Sequence, residues 1–142
     1  DDEGVFEGLV CGVLREAGSP LEPEEAHARL VDPGAGLSYG VACAWGAPPR
    51  GREALEALVA ARAVDRLRDA LRGPNPGGRL YAAEGLLRLE ALSSADEAAV
   101  AASSSATVRT CGGCLIFDAV PFSAAYAEVP ETIRLVTLLS SR

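Results

Sequence analysis

The run Ala63-Val64-Asp65-Arg66-Leu67-Arg68-Asp69-Ala70-Leu71-Arg72 is followed, after a break, by Arg79-Leu80-Tyr81-Ala82-Ala83-Glu84-Gly85-Leu86-Leu87-Arg88-Leu89, and these two stretches decide the fold class. In the first, Val64, Leu67, Ala70 and Leu71 recur at three- and four-residue spacing, which stacks them on one helical face. Arg62, Arg66 and Asp69 then face outward. In the second, Leu80, Ala83, Leu86 and Leu87 repeat the pattern, with Ala82 and Leu89 beside them, and the helical period extends over residues 79–91. A half-buried strand would need alternation at a period of two, and neither run alternates. Upstream, Ala54, Leu55, Leu58 and Val59 predict another helix over residues 52–61. The core expected between adjacent helices is Leu67, Leu71, Ala83 and Leu87.

The same reading extends to both ends. Asp2 to Ala17 predicts a helix: acidic residues open it, Phe6, Leu9, Val10, Val13 and Leu14 share a face, and Gly18 stops it. After the break at residues 19–23, a short acidic helix is expected over Glu24 to Val31, ended by Asp32-Pro33-Gly34-Ala35-Gly36. Leu37 to Trp45 fits a buried helix or a strand; helix is favoured because Tyr39, Cys43 and Gly46 share a face. Gly73-Pro74-Asn75-Pro76-Gly77-Gly78 reads as a loop, and without a Lys-Ser/Thr ending it is a connector, not a phosphate cradle. Ser94 to Ala102 predicts a helix capped by Ser94, with Glu97 at the capping-box position. Ser103-Ser104-Ser105 is a polar link.

Beyond it the character changes. Thr107 to Cys111 and Cys114 to Asp118 are β-prone around the turn pair Gly112-Gly113, so a hairpin is expected. Pro121 can open a helix through Phe122, Ala125, Tyr126 and Val129, which Pro130 ends. Ile133 to Leu139 fits a strand or a terminal helix. The expectation is a mainly α chain of about six helices. Residues 1–142 then form a single domain, with a helical body over 1–102 and a hairpin plus terminal segment over 103–142.

The two opening runs, with the Pro-containing turn between them, resemble the seam between two HEAT repeats. The resemblance spans residues 51–102. It implies antiparallel helix pairs packed side by side through small residues, a curved surface for a protein partner or for self-association, and no assigned activity. The run Gly78-Arg79-Leu80-Tyr81-Ala82-Ala83, with the later Gly113-Cys114, is also similar to small exported HEAT-like proteins of myxobacteria.

Composition narrows the function classes. At 142 residues, 49% hydrophobic and 23% charged, the chain can bury a core without a metal or staple. No run approaches the ~18 apolar residues of a membrane span. The 15 Gly and 9 Pro cluster in breaks, which excludes collagen and coiled coil. With 20 acidic against 13 basic residues and a net charge of −7, the chain repels phosphate backbones, so no nucleic-acid partner is expected. Every basic residue is arginine, which GC-rich codon usage explains, and lysine chemistry is excluded.

Few residues carry chemistry. Cys111-Gly112-Gly113-Cys114 can form a local disulfide, exchange thiols, or supply half a metal site, and the tight Gly-Gly turn favours the structural role. A thioredoxin-like role needs a strand–helix context that the helical residues before it do not provide. The four cysteines suit two bridges, and Cys11–Cys43 with Cys111–Cys114 is the expected pairing. His27, the sole histidine, sits on a charged helix surface and is expected to be solvated and non-catalytic. Glu24/Glu25 and Asp96/Glu97 oppose helix dipoles at helix starts. Trp45 and Tyr81 are expected in the core. No catalytic residue, metal or cofactor is expected. The expected function is a non-enzymatic interaction or structural module; the alternative is a thiol redox or metal-binding protein using Cys111 and Cys114. Paired cysteines favour an exported protein over a cytoplasmic one. The opening Asp1-Asp2-Glu3-Gly4 contains no basic, apolar leader, so no signal peptide is read there, and a lost leader and a trimmed chain both fit such a start.

Overall fold

The computed structural model describes residues 21–43, 47–112 and 115–140. Among them the protein is mainly α, with seven helices and one small sheet. The order is α1 (Pro23–Val31), β1 (Ser38–Tyr39), α2 (Arg50–Ala60), α3 (Val64–Leu71), α4 (Pro76–Arg88), α5 (Ser94–Ala102), β2 (Thr107–Gly112), β3 (Leu115–Pro121), α6 (Phe122–Ala127) and α7 (Val129–Ser140). The helix expected over Asp2 to Ala17 lies outside the described residues, as do Cys11, Trp45 and Cys114.

Helix α4 is the axis of the molecule. It touches every other described helix and also β1 and β2. Nearly its whole circumference is buried, from Gly77 to Leu86, as expected of a helix that neighbours surround on all sides. Its glycines are sites of close approach. A Cβ on Gly78 would strike the Leu30 carbonyl, and one on Gly85 would press on Leu55 and Leu67. The helix begins earlier than the loop reading allows, because Pro76 takes its first turn and Asn75 caps it, accepting from the Gly78 amide at 3.1 Å. The Asn75 amide nitrogen also donates to the Asp32 and Ala35 carbonyls, each at 2.8 Å, which clamps the α1–β1 connection beneath α4.

Helices α2 and α4 end alike. In each, a non-glycine residue with positive φ, Arg62 at 50° or Glu90 at 53°, follows the cap. The next amide reaches back to close a Schellman turn, Ala63 to the Leu58 carbonyl at 3.0 Å and Ala91 to that of Leu86 at 2.8 Å. Each long helix is thereby turned onto a shorter partner, α3 or α5.

Some expectations shift, and others are met or resolved. Residues 38–39 form a strand where a helix over Leu37 to Trp45 was favoured, because they pair parallel with Arg109 and Thr110 of the hairpin. The α5 cap is Ser93 with Asp96 as its capping-box partner, one residue before Ser94 and Glu97. The final segment is helical, and Pro130 sits in the first turn of α7, where its missing amide costs nothing. The β2–β3 hairpin appears as expected, with a bulge that sets two residues of β3, including Ala119 at φ 58°, against Arg109. Of the expected core, Leu67, Leu71 and Ala83 are buried, while Leu87 is partly buried against the same cluster.

Asp96 does more than cap. Its buried carboxylate accepts from Arg68 Nε and Arg72 Nη1, both at 3.0 Å, and from the Ser93 amide at 2.9 Å. Burial alone would raise its pKa, but the Ser93 amide and the two guanidiniums outweigh that and hold it well below the usual carboxylate range. A depressed folded pKa means its stabilisation is complete above the unfolded value of about 4 and drains as pH falls through the folded one. D96N should cost about 2 kcal/mol at pH 7. That gap should close as pH falls below about 4, as measured by urea denaturation across pH.

Candidate functional site

A buried ionic cluster joins β1 to the helical body. Arg52 of α2 is 1% exposed and Glu84 of α4 is 0% exposed. Arg52 Nη1 and Nη2 donate to the two Glu84 oxygens at 2.5 and 2.8 Å, the bidentate geometry that planar guanidinium and carboxylate favour. Beside them Arg88 donates to both Glu56 oxygens at 2.6 and 2.8 Å and reaches Glu84 Oε2 at 3.2 Å. Arg52 also approaches Glu56 at 3.4 Å, so two cations and two anions neutralise one another, Arg52 and Glu84 out of water and Arg88 and Glu56 partly buried beside them.

Strand β1 lies on this cluster. The Tyr39 hydroxyl donates to Glu84 Oε1 at 2.6 Å, and Arg52 Nε donates to the Gly40 carbonyl at 2.9 Å. The Tyr81 hydroxyl donates to the Ser38 carbonyl at 2.5 Å and accepts from the Gly40 amide at 3.1 Å. The Arg52 guanidinium sits 5.6 and 5.1 Å from the Tyr39 and Tyr81 ring centres, adding cation–π attraction.

The environment fixes the charge states. Burial opposes the charged form of Arg52, but Glu84 outweighs it and raises the guanidinium pKa further. Burial pushes both tyrosine hydroxyls well above their usual range. Burial would raise Glu56, yet its bonds to Arg88 bring it down. Among the described residues no buried side-chain nitrogen or oxygen lacks a partner. The buried polar atoms of the cluster are therefore all engaged with a partner.

A cavity of about 520 Å³ opens on the far side of Tyr39, between the sheet and helices α6 and α7. Its walls include Cys111, Val120, Ala125 and Leu135, with Glu128 and Thr132 supplying polar atoms. The wall is braced by a disulfide, Cys43–Cys111, whose Cα atoms are 5.4 Å apart. The expected pairs Cys11–Cys43 and Cys111–Cys114 are thus replaced by a bridge from the β1 exit to β2. The parallel β1–β2 pairing accounts for the exchange, since it delivers Cys43 beside Cys111.

The other candidates fall apart in space. The His27 ring nitrogen meets Asp69 Oδ2 at 2.6 Å, and the ring is half-buried between α1 and α3 where a solvated one was expected. Tyr81 is a core residue, as expected. Glu24 lies within 3.9 Å of Arg66 on the surface. The described residues hold no group of three or more His, Cys, Asp or Glu able to bind a metal, and no described helix is long and apolar enough to cross a membrane. What composition and periodicity did not reveal is the quartet Arg52, Glu56, Glu84 and Arg88. One signal marks it: a glutamate within the apolar run Leu80 to Leu87, one turn before an arginine. No family, no curated protein and no solved structure matches this chain.

Proposed function

We propose that the protein is an exported, non-enzymatic interaction module with a HEAT-like helical body, and that the outer edge of β3 is where it meets a protein partner or a second copy of itself. One observation carries this. Among the described residues strand β3 is an edge of the sheet, and there Ile116 and Phe117 are 57% and 53% exposed. Residues 115–117 precede the bulge in β3, and every second residue of an edge strand directs its main-chain N–H and C=O away from the sheet, where an added strand would pair. The HEAT-like reading of the body draws support from α2–α3 and α4–α5, two long–short helix pairs joined by the same Schellman turn. The Cys43–Cys111 bridge suits an oxidising compartment.

Light scattering after size exclusion, combined with cross-linking in the native extract, is the test. Self-association or a cross-linked partner, lost in I116S/F117S while helicity is kept, is the expected result. An interface untouched by that double variant would move it elsewhere, and a monomer that captures nothing would end the reading.

Thiol exchange is a second reading, favoured by one fact: Cys111 is bridged to Cys43 while Cys114 follows three positions later in the chain. Alkylation under a glutathione series checks it, because exchange requires Cys43 to become free at a mild poise.

A further inference from the structure

We infer that the cavity beside the disulfide is a binding site for a small amphiphilic cation, an aliphatic amine whose chain enters between the sheet and α7 while its ammonium group stays at Glu128. This goes beyond the interaction surface on β3 and does not depend on it. The volume of about 520 Å³ lies within the range of small-molecule sites. At about 30 Å³ per water-sized group it admits a ligand of roughly 15 non-hydrogen atoms. The lining is mostly apolar: Val41, Ala42, Val120, Ala125, Leu135 and Leu139.

The charge on the lining selects the ligand. Glu128 is the one acidic side chain on the described wall, and it has no ion-pair or side-chain hydrogen-bond partner among the described residues. The neighbouring cations are committed elsewhere: Arg52 and Arg88 to Glu84 and Glu56, and Arg134 to Glu131 at 3.2 Å. A fatty acid would place its carboxylate against Glu128 with nothing to offset the repulsion. A neutral alcohol would bury the same chain and gain no charge attraction from the carboxylate, which is exposed to water at the cavity mouth. An ammonium group matches it, and the net charge of −7 draws cations toward the protein. Thr132, beside the Tyr39 hydroxyl on the same wall, adds a hydroxyl for orientation.

Titration of the full chain with n-decylamine, decanol and decanoate at pH 7, followed by calorimetry and native mass spectrometry, tests the inference. The amine should bind one to one, decanol at least fivefold more weakly, and decanoate not at all. E128Q should weaken the amine about fivefold to tenfold and leave decanol unchanged. A124W, at an exposed position on the cavity wall, should abolish binding with the circular dichroism preserved. Equal affinity for amine and alcohol, binding in many equivalents, or indifference to A124W would overturn the assignment. So would a dimer, or a fold of residues 1–20 onto the wall seen by cross-linking, that shuts the amine out.

Discussion

Replacing Glu84 with Gln is expected to cost the folded protein about 3–5 kcal/mol, among the largest effects of any single polar change in the chain. Arg52 and Glu84 are both out of water, and the two Nη nitrogens of Arg52 each depend on a Glu84 oxygen. Removing the negative charge leaves Arg52 buried with only the more distant Glu56, at 3.4 Å, to balance it. The same change weakens the Tyr39 hydroxyl bond and the Arg88 contact at 3.2 Å, so β1 loosens along with the helices. R52M should fail comparably, because Glu84 is then left buried beside two tyrosine rings. The double variant R52M/E84M should lose much less than the sum, since two apolar chains of similar length need no compensating charge. Denaturant unfolding of the four proteins gives the cycle. Additive losses would show that the two side chains act independently and that the pair does not hold β1 to the body.

That cluster also shows what a sequence conveys and what it hides. Periodicity is a local signal, and it located α3 because that helix buries a stripe, Leu67, Ala70 and Leu71, while α4, buried nearly all round, still carries the same period through Leu80, Ala83 and Leu86. Pairing across distance leaves no such trace. Ser38 and Tyr39 form a strand only because Arg109 and Thr110 are there to receive them, 71 positions away. Taken alone, the small residues after Leu37 suit a helix equally well. Likewise Asn75 reads as a turn residue until it is seen capping α4 and gripping the Asp32 and Ala35 carbonyls. The quartet of charges was hidden for a similar reason. Arg52 with Glu56, and Glu84 with Arg88, are ordinary four-residue pairs on two separate helices. Only the crossing of α2 and α4 turns them into one buried network. The candidate cavity belongs to the same class, being lined by residues from Tyr39 to Leu139 that no linear motif connects.

The disulfide is the other place where a large effect is expected. C43A or C111A should destabilise the protein by roughly 4 kcal/mol, because the bridge closes a loop across 68 positions and removes that loop's freedom from the unfolded chain. Chain entropy is the larger contributor here, since the folded state already brings the two cysteines together. Residues 38–39 are paired with β2, Tyr39 is tied to Glu84, and a Cβ at Gly40 would collide with the Cys111 carbonyl, so the backbones are pressed together before any bond forms. The native fold should therefore survive reduction at low temperature, with unchanged helicity and a melting point lower by about 10 °C. Because the effect belongs to one bond, C43A, C111A and the double variant should all lose nearly the same amount, and dithiothreitol should bring the wild type to their level. A double variant markedly worse than either single would mean that the side chains, and not the bond, hold the hairpin. A non-reduced peptide linking Cys43 to Cys11 would restore the pairing that helix packing alone suggests and detach the hairpin from β1.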